Sequence, residues 1–333
     1  MKLAVVILNW NGAQLLKDYL PFVLKFSGDA TIYLIDNAST DDSVEMVKTE
    51  FSEVQVIENE ENYGFAGGYN QGLKSIDADL FCLLNSDVEV TPNWTSPFLK
   101  LFKENESIAI AQPKIRDLKN REYFEYAGAA GGYIDKLGYP FCRGRIFQSI
   151  EKDEGQYDDT REVFWATGAC MFIRKTVFWE LDGFDADYFA HQEEIDLCWR
   201  AKNTGHKVFY VGESIVFHLG GFTLKNSNPN KTFLNFRNSL YSITKNLPRR
   251  SATKLIFYRL LLDGIAAVHF AIQLKFLHSF AILRAHFSFY KNFSKMYKKR
   301  EKANFLLKYY SVKSIVWSHF VHQVKNFNIL VKD

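Results

Sequence analysis

Four short apolar runs, LAVVILNW (3–10), TIYLID (31–36), VQVIEN (54–59) and LFCLLNSD (80–87), each meet an Asn or Asp at their carboxyl end. Between them lie AQLLKDYLPFVLKF and DSVEMVKTEF, whose apolar residues recur at helical spacing. Strand and helix therefore alternate, which predicts an α/β fold with a doubly wound, mainly parallel sheet flanked by helices. In such a sheet the ligand crevice lies beyond the carboxyl ends of the strands. Asn9, Asp36, Asn59 and Asp87 are thus expected to line one crevice. An acid in that place can accept a hydrogen bond from a base or ribose, or hold a divalent cation.

The chain of 333 residues has room for one large domain and an appendage. Its four cysteines, at 82, 142, 170 and 198, are far apart and lack paired spacing, which argues against a zinc site or a disulfide framework and fits a reducing, cytosolic setting. The N-terminal apolar run is too short for a secretion signal and reads as the first strand. Charge is divided unevenly: residues 251–333 hold 14 Lys and Arg against three acids, while the rest of the chain is net acidic. A basic, aromatic tail from about residue 246 needs an anionic partner, and membrane phospholipid and nucleic acid are the two candidates. Its most apolar stretch, LLLDGIAAVHFAIQL, is shorter than a bilayer span and carries Asp263 and His269. We expect an interfacial pair of helices, with a helical cap packed on the main domain as the alternative.

Several runs carry possible chemistry. Asp36 stands at a strand tip in LIDNASTDDS, where it serves equally as a ligand contact or a turn former. ENYGFAGGYNQGL places Gly67 and Asn70 where backbone can approach a sugar, although a tight loop before a helix has the same composition. FDADYFAHQEEIDLCWR concentrates acids. There Glu193 and Glu194 fall in the first turn of a helix, and Asp196 is spaced to pair with Arg200. His218 ends a further apolar strand, the usual place of a satisfied core histidine.

The order of these motifs carries more than any one of them. N-W-N-G, I-D-N-x-S-x-D-x-S, N-x-G-F-A-G-G-x-N-x-G, L-x-N-x-D, G-A-x-M-x-I-R, G-F-D-x-x-Y-F, E-E-I-D-L-C-W-R and F-H follow one another between residues 3 and 240. In this the sequence resembles family 2 glycosyltransferases of the GT-A fold, especially the rhamnosyltransferase-like branch that builds bacterial surface polysaccharides. The resemblance implies a GT-A catalytic domain, and with the change of texture near residue 245 the expected division is a catalytic domain over 1–245 and a basic, aromatic-rich, membrane-associating helical tail over 246–333. It implies a nucleoside diphosphate sugar donor, a Mg²⁺ or Mn²⁺ cofactor, and transfer with inversion to a glycan or lipid-linked acceptor. By matching position, Asn9, Trp10, Asp36, Gly67, Asn70 and Asn85 are expected at the nucleotide sugar, and Asp87 and His218 at the metal. Glu194 is expected as the base, with Glu193 and Asp196 as fallbacks. The family's usual acid at position 194 is Asp, so this chain's Glu leaves the identity of the base open. Arg237 and Asn238 match an R-N pair that is structural or diphosphate-facing.

The expected location is the cytoplasmic face of the membrane, with no nucleic-acid partner. A nucleic-acid or scaffold protein has no use for acids at successive strand tips. A sugar nucleotidyltransferase needs a basic glycine-rich loop that LNWNGAQLL lacks.

Overall fold

The computed structural model describes residues 1–220, 228–300 and 305–331. Its first third alternates as the apolar runs predict: β1 (Leu3–Asn9), α1 (Ala13–Phe26), β2 (Thr31–Asp36), α2 (Ser43–Glu50), β3 (Gln55–Glu58), α3 (Gly64–Gly72) and β4 (Leu80–Asn85). These four strands pair in parallel in the order β3-β2-β1-β4. Val5, Ile7, Cys82 and Leu84 are buried on one face, and Val6, Phe81 and Leu83 on the other. A strand covered on both faces must be apolar at every position, which is why these runs lack polar alternation.

The second half of the sheet is more mixed than the sequence pattern suggests. After β5 (Val88–Val90), α4 (Ser96–Glu104) and β6 (Ile108–Asp117), four short strands form a separate antiparallel sheet: β7 (Gly132–Ile134), β8 (Pro140–Cys142), β9 (Arg145–Ile146) and β10 (Ser149–Ile150). The chain then returns through β11 (Thr160–Val163), β12 (Cys170–Arg174), α5 (Lys175–Glu180), α6 (Glu193–Asn203) and β13 (Lys207–His218). β12 enters antiparallel between β4 and β6, while β13 runs parallel to β6 and antiparallel to β5 and β11. All four cysteines are buried and free.

Three long helices follow: α7 (Pro229–Asn246), α8 (Arg249–Ile272) and α9 (Phe276–Lys298). With 24 residues, α8 is long and apolar enough to cross a membrane by length and composition, a correction to the shorter stretch read from sequence. Its Asp263 is not a bar to helix packing, because the carboxylate is buried against Arg259, His286 and the Tyr139 hydroxyl. The last described segment is not a continuation of the long helices. It holds only α10 (Ile315–Phe320) and α11 (Phe327–Leu330), and it straps across the small sheet through Ser311 to Ile134 and Lys136 to Val312.

Candidate active site

Strand register brings the polar tips together. Asn9 lies opposite Asp36, Asp36 opposite Glu58, and Leu8 opposite Asn85, so the carboxyl ends of β1 to β4 form one rim. Asn9 is buried and donates through Nδ2 to Asp36 Oδ1 at 2.9 Å and to Ser43 Oγ at 2.9 Å. Asp36 also accepts from the Ser39 hydroxyl and amide at 2.6 and 2.8 Å. Both its oxygens are engaged, so Asp36 holds the β1 and β2 tips together and keeps little capacity for a base. Asn9 Oδ1 is buried without a partner, and beside it Trp10 presents an aromatic face that is 52% exposed.

The glycine-rich segment is used differently. α3 packs so closely on the sheet that a side chain at Gly68 would meet Leu8 and Asn37, and one at Gly67 would meet Tyr63 at 2.8 Å. Asn70 spends its side chain on the backbone of Phe184, donating to the carbonyl at 2.7 Å and accepting from the amide at 2.9 Å. Gly67 and Asn70 thus stand where helix packing and a strut explain them. Gly64, with φ of +71°, opens α3 beneath the ring and carbonyl of Phe189, which accepts from Phe65 N at 2.9 Å.

At the β4 end the geometry converges. The β5–β13 pairing sets His218 opposite Val88, one residue from Asp87, and Leu219 N donates to the Asp87 carbonyl at 3.0 Å. His218 Nε2 lies 3.0 Å from Asp87 Oδ1 and 3.5 Å from Asn85 Nδ2. On the other side of the ring Nδ1 lies 3.4 Å from Glu125 Oε1. Burial opposes a charged imidazole, but the two flanking carboxylates outweigh it and hold His218 at about 10. Burial likewise raises Asp87, and the His218 charge more than offsets it, so the acid sits below the usual carboxylate range.

Sequence reasoning missed Glu125. It lies in REYFEYAG with no spacing signal, and it arrives only because Glu125 N pairs with Ile115 O on β6, the neighbour of β13.

Asp87 offers a carboxylate oxygen in a buried, net-negative spot, and His218 would add an imidazole nitrogen once a cation displaced the proton it holds, a donor pair that could take Mn²⁺ or Mg²⁺. Among the described residues no three His, Cys, Asp or Glu side chains form a closed metal cage. The remaining coordination then falls to water and phosphate oxygens, the usual way such ions are held where phosphates are handled.

The acid cluster sits on the same rim. Ala169 O accepts from Asn85 N at 3.0 Å, and the next residue back, Gly168, has its Cβ direction 3.9 Å from Glu194 Cβ. Glu194 and Glu193 occupy the first turn of α6, and each has a buried Oε2 without a hydrogen-bond partner. Burial pushes Glu194 up to about 7. Burial first, and then the Glu194 charge, push Glu193 well above the usual carboxylate range. Asp196 is different, because its carboxylate is taken by Arg200 and Lys245, both at 2.8 Å. Burial works against its charge, yet the two cations hold it far below the usual range.

The loop before α6 is strained: Phe189, His191 and Gln192 have φ of 65°, 68° and 69°. Asn238 holds it by donating to the carbonyls of Tyr188, Ala190 and His191, and Arg237 Nη2 donates to those of Asp187 and Tyr188. The R-N pair is therefore a clamp on the loop that aims the two glutamates.

With these positions fixed, comparison with known proteins is informative. The chain is 33% identical over 158 residues to the rhamnosyltransferase WbbL of Escherichia coli K12, covering 45% of this chain and 58% of that protein. It is 25% identical over 232 residues to the N-acetylglucosaminyl-diphospho-decaprenol L-rhamnosyltransferase of Mycobacterium tuberculosis H37Rv, covering 65% and 75%. In fold it matches the mannosyltransferase PcManGT of Pyrobaculum calidifontis, solved with GDP-Man and Mn²⁺, at a TM-score of 0.54 with 87% of each chain covered and 12% identity. GalNAc-T7, solved with UDP, GalNAc and Mn²⁺, matches at 0.53 with 21% identity, covering 65% of this chain and 43% of its own. Such likeness speaks for the GT-A fold alone. Residues 4–182, more than half the chain, match the sequence model of glycosyl transferase family 2. The parallel half of the sheet and the acid that follows β4 lie within that match, and the chain belongs to glycosyl transferase family 2, on its rhamnosyltransferase-like side.

Proposed function

We propose that this protein is a metal-dependent inverting glycosyltransferase. It moves a sugar, rhamnose by likeness to its relatives, from a nucleoside diphosphate to a glycan or lipid-linked acceptor at the cytoplasmic face of a membrane. The observation that carries this reading is that the Asp87–His218 pair and the Glu194 carboxylate, whose Oε2 has no hydrogen-bond partner, lie along one rim, joined through Asn85, Ala169 and Gly168.

Asp87 and His218 would hold Mn²⁺ or Mg²⁺, which when bound supplies positive charge for a departing diphosphate. Glu125 orients the imidazole from its far side, as outer-shell carboxylates commonly do for metal-ligating histidines. Glu194 takes the proton from the acceptor hydroxyl as that oxygen bonds to the anomeric carbon. The bond from this carbon to the diphosphate oxygen breaks on the opposite face. Glu193, raised well above the ordinary carboxylate range by burial and by the neighbouring Glu194 charge, favours its neutral form beside the base. Trp10 offers a stacking face for the base, and Asn9 Oδ1 an acceptor for it. Residues 1–245 carry this chemistry, and the helices after them hold the enzyme at the membrane.

Incubation with Mn²⁺ or Mg²⁺ and a panel of nucleotide sugars should release nucleoside diphosphate for one donor class, and an Asp87→Ala variant should lose that release by about 10²-fold or more. Release of pyrophosphate from a nucleoside triphosphate and a sugar phosphate would instead identify a nucleotidyltransferase.

A further inference from the structure

α8 and α9 each bury one stripe and expose the opposite one. On α8 the residues Leu255, Arg259 and Asp263 face inward, while Leu261, Ile265, Val268 and Ile272 are each more than half exposed. On α9 the inward set is Ile282, Ala285 and Phe289, and the outward set is Phe276, Phe280, Leu283 and Phe287, each half or more exposed. Steps of three and four place each outward set on one side of its helix, about 180° from the buried set. Because both buried stripes face the protein, both apolar stripes face away from it. The two helices pack side by side, so the stripes form one continuous apolar face.

Charge tells what this face meets. Between residues 249 and 300 the one acid is Asp263, and it is buried in an ion pair. Lys295 and Lys299 are occupied with Asp185 and Asp187. Arg250, Lys254, Lys275, Arg284, Lys291 and Lys298 have no carboxylate partner among the described residues and are exposed around the face. An apolar plane rimmed by unpaired cations complements the boundary of an anionic bilayer, where acyl chains and phosphates lie a few ångströms apart.

The buried stripes argue against a crossing, because α8 as far as Asp263 and α9 from Ala281 onward pack on the protein instead of standing clear of it. α8 and α9 are joined by a turn at 273–275, and α9 returns to the protein, where Lys299 reaches Asp185. Lys275 and Gln273 at that turn would be expensive at the bilayer centre.

We propose that α8 and α9 form an in-plane anchor whose outward face lies in the headgroup and acyl boundary of an anionic membrane. This rests on the peripheral placement proposed above and names the surface and its lipid.

Flotation of the full chain with vesicles is the test. Binding to equal parts phosphatidylcholine and phosphatidylglycerol should exceed binding to phosphatidylcholine alone, and should fall at high salt. A Val268→Glu/Phe280→Glu double variant, altered at exposed positions, should keep its thermal unfolding and lose at least about tenfold in vesicle affinity. A fluorophore on Phe280→Cys should be quenched more by lipids brominated high on the acyl chain than by those brominated at its end. The native cysteines, being buried, leave that label specific. Wild-type protein that stays unbound and sediments as a dimer would mean the face is a self-association surface. Equal binding by the double variant, or deeper quenching at the chain ends, would equally overturn the proposal. None of these readouts uses donor, metal or acceptor, so their failure is separate from failure of the transferase assay.

Discussion

Glu193 and Glu194 share one helix turn, and under the proposed function Glu194 is the base. Ionised Glu194 is the form that accepts a proton, and its pKa near 7 sets where that form dominates. Below about pH 7, kcat/KM should therefore rise about tenfold per pH unit, levelling above it. A Glu194→Gln variant should lose about 10²–10⁴-fold in transfer and with it this pH dependence, while binding nucleoside diphosphate normally. Comparing the two pH–rate profiles checks both points. Glu125 acts one shell out. Replacing it with Gln removes the charge facing His218 Nδ1, and Mn²⁺ affinity, read by titration calorimetry with nucleoside diphosphate present, should weaken about 10- to 100-fold. Unchanged affinity would remove Glu125 from the metal site's support.

At the level of elements, α7 holds the loop ahead of Glu193 and the proposed base, Glu194. Lys245 bonds Asp185 at 2.7 Å and Asp196 at 2.8 Å, all three side chains being buried. Without Lys245 each acid keeps one cation, Asp196 its Arg200 and Asp185 its Lys299, so Lys245→Met removes charged hydrogen bonds without stranding a charge and should cost about 1.5–3 kcal/mol in urea unfolding. What the sequence made legible follows the same division. β1 to β4 were readable because each strand's own residues determine its burial, and Asp87 because it ends one of those strands. The antiparallel entry of β12 was not, since it depends on which edge of β4 is vacant. Asn70 looked like a sugar contact because its neighbours are glycines, but its partner Phe184 lies 114 residues away. The pairing of Asp196 with Arg200 was readable because it is local to one helix. Lys245, which completes that group, is 49 residues distant and left no local trace. Glu125 was hidden for the same reason, brought to His218 only by the β6–β13 pairing.

Over the whole molecule, the proposed catalytic rim and the proposed anchor are mechanically joined. Lys295 and Lys299 of α9 pair with Asp187 and Asp185, in the loop that Asn238 clamps ahead of Glu193. The Val268→Glu/Phe280→Glu variant should therefore turn over a soluble acceptor at the wild-type rate and lose rate only on a lipid-linked acceptor in vesicles. Parallel assays on the two acceptors check this. The join between body and anchor is also short: α7 ends at Asn246 and α8 begins at Arg249, leaving Leu247 and Pro248 between them. So brief a connection gives no slack. Seated in lipid on two legs, the enzyme could neither swivel nor rise, and Asp87 and Glu194 would keep a fixed altitude. Only hydroxyls carried at that height would come within reach, making stature a selector of acceptors alongside chemistry.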